Sequence, residues 1–318
     1  MNEYDDYEKY LDWEESFEKN GRPPRHLNGR PGKIKQKAAA PVIEMTDFID
    51  DAAAWVPTYA RALDPRHHER TWLIESVSQF YRDNTITDVV RRVKGGKEAN
   101  VYCCTGHPAT GMELVAAKLY RPRMLRTLKN DAIYKSGRQL RDEAGKQIKG
   151  RREKLALSQK STFGKHLDMV WWIGNEFRVQ TALHEAGAAV PRPIGHNGNT
   201  ILMEYMGDER LPAPALSDIS LDRDAAAELF DAVMDNVRLM LDNHYVHGDL
   251  SAFNILYWQG EIAIIDFPQV VDARINPNAH VLLRRDVKRV CDYFSRFGVR
   301  VDPESIVRDL WIPYMGNF

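Results

Sequence analysis

Apolar residues recur at helical spacing from Trp72 to Tyr81, which predicts a short helix. The period then changes. TITDVVRRVKGGKEANVYCCTGHP reads as two β-rich runs separated by GGKEAN, and ELVAAKLY supplies a third strand, so a small antiparallel sheet is expected. In WWIGNEFRVQTALHEAGA the helical period returns through Trp172, Phe177, Val179, Leu183 and Ala186, with Gly187 placed as a stop. A turn at Asn197 to Asn199 follows VPRPI and leads into the strand TILMEYMG. LDRDAAAELFDAVMDNVRLMLDNHYV is a long amphipathic helix with an acidic first turn, favourable for the helix dipole. NILYW and EIAIIDF predict a hairpin turned at Gln259 and Gly260, and the last clear helix runs through VLLRRDVKRVCDYFSRF to Gly298. The order predicts an α+β chain, with a small β-rich lobe followed by a mainly helical one and no internal repeat.

Residues 1 to about 60 break this patterning. They mix charged stretches with Pro23, Pro24, Pro31 and Pro41 and sustain no apolar period, so 1–65 is expected to be a partly disordered extension. The ordered part then divides into 66–205 and 206–318. A net charge of −1 hides two blocks: residues 1–20 carry −6, and residues 121–165 carry +10. The basic block could attract nucleic acid or an acidic partner, or be a solvated insertion. Apolar runs fall far short of the roughly 18 residues of a membrane span, and the acidic N-terminus does not resemble a secretory signal. A cytoplasmic protein without membrane attachment is expected. Cys103, Cys104 and Cys291 are odd in number and lack metal-binding spacing, which points to reduced, structural thiols.

The candidate chemistry centres on YVHGDLSAFNIL, residues 245–256, where polar groups interrupt an apolar run. Asp249 precedes Asn254 by five residues, and Asp266 ends the strand that pairs back toward Asn254. Asn254 and Asp266 can supply the hard oxygen ligands that Mg²⁺ on nucleotide phosphates requires. Asp249 is then free to orient an attacking hydroxyl and accept its proton, with His247 as a buttress or as a packed structural imidazole. The bland alternative is an Asx-rich turn before a hairpin. In KGGKEANVY, Gly95 and Gly96 allow backbone amides close to phosphates, and Lys97, Glu98, Ala99 and Val101 complete the candidate nucleotide loop. Lys118 on the third strand could hold the α and β phosphates if a carboxylate fixed it, and Glu176 is the candidate. LMEYMG places Glu204 to Met206 where backbone groups could pair with adenine.

GKEANVY, HGDLSAFNIL and RRDVKRVCDYFSRFGV together resemble the RIO atypical protein kinases over about residue 72 to the C-terminus. KGGKEANVY and LYRPRMLRTLKNDAIYKSGR are most similar to the type 1 branch, whereas IDFPQ looks like type 2. The resemblance implies a two-lobed protein-kinase-like fold, ATP with Mg²⁺ (Mn²⁺ as an alternative ion), and serine autophosphorylation or ATP hydrolysis. It also implies small-subunit ribosome maturation in eukaryotic and archaeal relatives. By matching residues, Lys118 and Glu176 would be the ion pair, Asp249 the catalytic aspartate, and Asn254 and Asp266 the metal ligands. Asp266 would also be the site of any phospho-aspartate.

Departures from ordinary kinases matter. Gly248 replaces the arginine that grips a phosphorylated activation loop, and Pro268 replaces the glycine after the metal-binding Asp-Phe. Nineteen residues separate Asp266 from Asp286 without an APE motif, so the activation and peptide-presenting segments are absent. The substrate is unidentified, with the protein itself a candidate. The basic segment 121–165 is a candidate contact for ribosomal RNA or a pre-ribosomal particle. Two other functions share parts of this pattern: a small-molecule phosphotransferase of the aminoglycoside or choline kinase type, and a non-catalytic, ATP-gated RNA-binding module.

Overall fold

The computed structural model describes residues 55–64, 67–96, 98–121 and 162–316, with backbone alone over 162–168. Nearly all of the N-terminal extension, most of the basic segment 121–165, and Lys97 lie outside the described residues.

Two helices, α1 (Thr58–Ala62) and α2 (His68–Arg82), precede three antiparallel strands, β1 (Ile86–Gly95), β2 (Ala99–Gly106) and β3 (Leu114–Tyr120). Helix α3 (Thr162–Glu185) leads to β4 (Pro193–Asn197) and β5 (Thr200–Glu204), giving one sheet of order β1-β2-β3-β5-β4. The near-continuous apolar run of β3 is explained by its central position, because both sheet faces are covered. On one face Leu73, Val77 and Phe80 of α2 meet Val89, Tyr102, Val115 and Leu202. On the other, Met169, Trp172 and Ile173 of α3 meet Cys103, Ala116, Ile201 and Met203.

The second half is mainly helical. Helix α4 (Arg223–Asp242) begins where Asp222 accepts the Ala225 amide at 2.9 Å and buries Phe230, Val233, Val237 and Met240. After β6 (Tyr245–Val246), the hairpin of β7 (Ile255–Trp258) and β8 (Glu261–Ile264) packs into the same core. Gln259 and Gly260 turn it with φ of 51° and 94°, both positive as a two-residue type I′ turn requires. Strand β9 (Val271–Asp272) pairs with β6, and α5 (Ala279–Ser295) contributes Leu282, Leu283, Val287, Val290 and Phe294. This α+β, two-lobed arrangement is the kinase-like fold expected.

Several boundaries differ from the apolar pattern. The connection between β1 and β2 is only residues 96–98, because Gly95 pairs with Asn100. Strand β4 was hidden by Pro193 and Gly195, with Pro191 just before it; a bulge between Pro193 and Gly195 accommodates these two beside β5. Helix α6 (Pro303–Gly316) lies beyond the last helix expected, although its capping signal is legible: Asp302 accepts from the Glu304 and Ser305 amides, with Pro303 first in the helix.

Candidate active site

The loop after β6 is held by main-chain bonds. Gly248 has φ of +80°, a conformation that favours glycine. Its N–H donates to Asp286 Oδ2 at 2.7 Å, and its carbonyl accepts from Arg285. Asp286 is 2% exposed, and burial pushes its carboxyl up to about 7. His247 joins the loop to the end of β8. Its Nδ1 lies 3.3 Å from the Asp249 amide, which can only donate, and its Nε2 lies 3.1 Å from the Ile265 carbonyl, which can only accept. The proton is therefore on Nε2 and the ring is neutral, in keeping with the downward shift that burial imposes. The imidazole is both packed, at 2% exposure, and bonded across the loop, so the two readings open in the sequence coincide.

Asn254 closes the loop, donating from Nδ2 to the Asp249 carbonyl at 3.0 Å and accepting at its own main-chain carbonyl from the Ile265 amide at 3.0 Å. Leu250, Ala252 and Ile255 are buried beneath it. Leu250, Ala252 and Ile255 thus anchor the loop, while its polar groups define its shape.

Lys118, on β3, sits between two acids. Its Nζ is 2.7 Å from Glu176 Oε1 on α3 and 2.6 Å from Asp266 Oδ1 after β8. Burial opposes the lysine charge, but the two carboxylates outweigh it and raise the pKa. Burial likewise works against the Asp266 charge, yet Lys118 holds that carboxyl below its usual range. The Tyr120 hydroxyl donates to the second Glu176 oxygen, and its ring centroid lies 4.9 Å from Nζ. Asp266 itself has φ of +75°, an uncommon conformation for a residue other than glycine.

These groups face a cavity of about 600 Å³. Val93, Val101, Ala116, Met203 and Leu256 supply apolar walls, whereas Glu98, Lys118, Glu176, Asn254 and Asp266 form its polar part. That volume and lining suit a small ligand with one apolar and one charged end. Burial, followed by the Asp266 charge, raises the Glu98 carboxyl. A second hollow, between Trp55, Tyr81 and His107, shares none of these residues.

The candidate nucleotide loop contributes unevenly to the cavity. Gly96 and Ala99 line the cavity, but Gly95 does not. A Cβ on Gly96 would stand 2.9 Å from the Ala99 carbonyl, whereas one on Gly95 would have no contact closer than 3.7 Å. The Gly96 N–H closes this turn onto the Ala99 carbonyl at 2.9 Å, so its amide is already engaged. Lys97 lies outside the described residues. Glu204, Tyr205 and Met206 do line the cavity. The Glu204 amide is not available to a base, because it donates to the Arg192 carbonyl at 2.8 Å, and its carboxylate accepts the Arg192 amide at 3.1 Å.

Asp249 does not line the cavity; its Oδ1 meets Arg289 Nη1 of α5 at 2.8 Å. Sequence reasoning missed Arg289, Tyr120 and the anchoring role of Asp286. For Tyr120 the signal was its i+2 spacing from Lys118, which puts both on one strand face.

Residues 102–306 match the RIO domain family. The chain is 36% identical over 135 residues to the RIO-type serine/threonine-protein kinase Rio1 of Thermoplasma acidophilum, covering 42% of this chain and 69% of that protein. It is 31% identical over 281 residues to the serine/threonine-protein kinase RIO1 of Homo sapiens, covering 88% of this chain but only 44% of that one. Among solved structures, the Rio2 kinase of Chaetomium thermophilum in an ADP/Mg²⁺-phosphoaspartate complex superposes with a TM-score of 0.51 at 21% identity, over 76% of this chain and 67% of that one. That likeness is one of fold.

Proposed function

Because this chain belongs to the RIO family, we propose that it is an ATP- and Mg²⁺-dependent serine/threonine phosphotransferase. The observation that carries this reading is Lys118 held by Glu176 and Asp266 at the polar end of a nucleotide-sized cavity. Adenine lies between Val101, Ala116 and Met203, near the main chain of Tyr205 and Met206. Lys118 binds the α and β phosphates. Asn254 and Asp266 would hold the metal, which would supply charge neutralisation on the phosphates. Their oxygen chemistry suits Mg²⁺, and Mn²⁺ is an alternative of similar preference. Asp249 orients the acceptor hydroxyl and takes its proton, on a loop fixed by His247, Asn254 and Asp286. This division of roles favours a protein acceptor over a small molecule enclosed with the nucleotide, because Asp249 stands outside the cavity.

A second reading, phosphate ending on Asp266 with ATP hydrolysis as a switch, draws support from the Asp266 side chain, 36% exposed and facing the same cavity. The two are separated by incubating the protein with γ-labelled ATP and Mg²⁺. Acid-stable label lost in Asp249→Ala supports serine transfer; hydroxylamine-labile label or free phosphate lost in Asp266→Asn supports the switch. Absence of both with retained ATP binding overturns both and favours a nucleotide-gated binding module.

The basic segment 121–165 is proposed to contact ribosomal RNA or a pre-ribosomal particle through phosphates, as its charge of +10 suggests. RNA affinity without a salt dependence would argue against it. A cytoplasmic location is proposed on the three buried, unpaired cysteines, which suit a reducing compartment. Among the described residues no helix is long and apolar enough to cross a membrane.

A further inference from the structure

Arg289 reaches from α5 to the one acid in the loop that the proposed transfer needs unencumbered. Its Nη1 lies 2.8 Å from Asp249 Oδ1, and the two side chains are 41% and 38% exposed. An exposed pair of this kind is weak and readily exchanged for another anion. Other charges on this stretch of α5 have their own engagements. Arg285 donates to the Gly248 carbonyl, Lys288 pairs with Asp292 at 2.6 Å, and Arg284 pairs with Glu304 at 2.6 Å. Arg289 is thus a cation whose partner is the proton acceptor itself, and it presents a planar fork suited to carboxylates. Phe253, four residues after Asp249 in the same loop, is 66% exposed and so open to an apolar contact with a substrate.

We propose that Arg289 is a specificity-determining residue that selects an acceptor serine flanked by carboxylates. A substrate carboxylate takes Arg289 from Asp249, and the freed Asp249 receives the serine Oγ proton. The new Oγ–Pγ bond forms as the bond from Pγ to the β–γ bridging oxygen breaks, and ADP leaves with that electron pair. Charge on the substrate therefore does two things at once: it binds and it uncovers the base. The chain contains such an acceptor in Glu14-Glu15-Ser16-Phe17-Glu18, where an apolar residue also follows the serine. This inference rests on the phosphotransferase reading, and its test keeps the two apart.

The probe is a peptide of residues 10–22, compared with the same peptide carrying Gln at positions 14, 15 and 18. Both are presented to the full chain with ADP and Mg²⁺ for binding by fluorescence anisotropy, and with γ-labelled ATP for transfer. The acidic peptide is expected to bind about tenfold more tightly and to show a correspondingly lower KM. Arg289→Ala should abolish that discrimination, and Arg289→Lys should restore part of it, with unchanged thermal midpoints as expected for an exposed position. Charge discrimination in binding without any transfer would sustain the role of Arg289 in recognition while overturning the phosphotransferase reading. Transfer at equal efficiency to both peptides, or discrimination that survives Arg289→Ala, would overturn the present inference and leave the phosphotransferase standing.

Discussion

The Asp266 carboxylate and the Lys118 ammonium, 148 positions apart in the chain, lie 2.6 Å from each other. Lys118 also serves Glu176, which is 2% exposed. Lys118→Met therefore removes the proposed phosphate ligand and leaves the buried Glu176 carboxylate without its cation. The expected loss of stability is about 3–5 kcal/mol, with at least about a hundredfold loss of turnover. Chemical denaturation and steady-state ATP turnover provide the measurements. Adding Glu176→Gln should recover much of the stability and none of the turnover; a double variant as unstable as the single one would show that the buried charge is not the cause.

The two neighbouring glycines should respond differently. Gly96→Ala forces a Cβ to 2.9 Å from a backbone oxygen and must move the turn that lines the cavity, whereas Gly95→Ala meets only ordinary contacts. ATP affinity, measured by calorimetry, is expected to fall about tenfold for Gly96→Ala and to change less than about twofold for Gly95→Ala, where a tenfold change is about 1.4 kcal/mol. Equal effects would place the critical close approach elsewhere.

Restoring a side chain at Gly248 should destabilise the loop without touching the cavity. With φ of +80°, Gly248→Ala is expected to cost about 1–2 kcal/mol, with ATP affinity nearly unchanged. A wild-type melting midpoint for this variant would contradict the strained conformation.

Asp286 predicts a pH dependence of definite sign. Its folded pKa, about 7, lies above the ordinary value of 3.8, so the folded state binds the extra proton between those limits. Its contribution is fully present below about pH 4 and is lost as pH rises toward and through about 7, with a slope of no more than about 1.4 kcal/mol per pH unit. Asp286→Asn should flatten that part of the stability curve measured by denaturation from pH 4 to 8. A wild-type curve rising over the whole interval, unchanged by the substitution, would contradict the assignment.

Lys118, Asn254 and Asp266, which share the cavity lining, and Asp249, which lies outside it, could all be proposed from the sequence because each lies in a short segment with apolar neighbours. Glu176 was accessible through the spacing of α3, and the hairpin at Gln259 and Gly260 through turn chemistry. The Asp249–Arg289 contact was not, since it joins a loop to a helix forty residues later through packing that no local period encodes. Strand β4 was obscured for a different reason: Pro193 and Gly195 oppose strand propensity, and pairing with β5 overrides them. Of the two adjacent glycines only Gly96 lines the cavity, a distinction that a Gly-Gly pair does not reveal in the sequence.

The left-handed backbone at Asp266 restricts which substitutions this position can accept in the course of descent. Asparagine and glycine tolerate that basin, whereas glutamate, although it keeps the charge, adds a methylene and lacks the short side chain that hydrogen-bonds locally. A lineage that abandoned the chemistry would therefore drift first to asparagine, keeping the shape of the loop while losing a charge. Asparagine here in an otherwise intact descendant would mark a protein retained for what it binds.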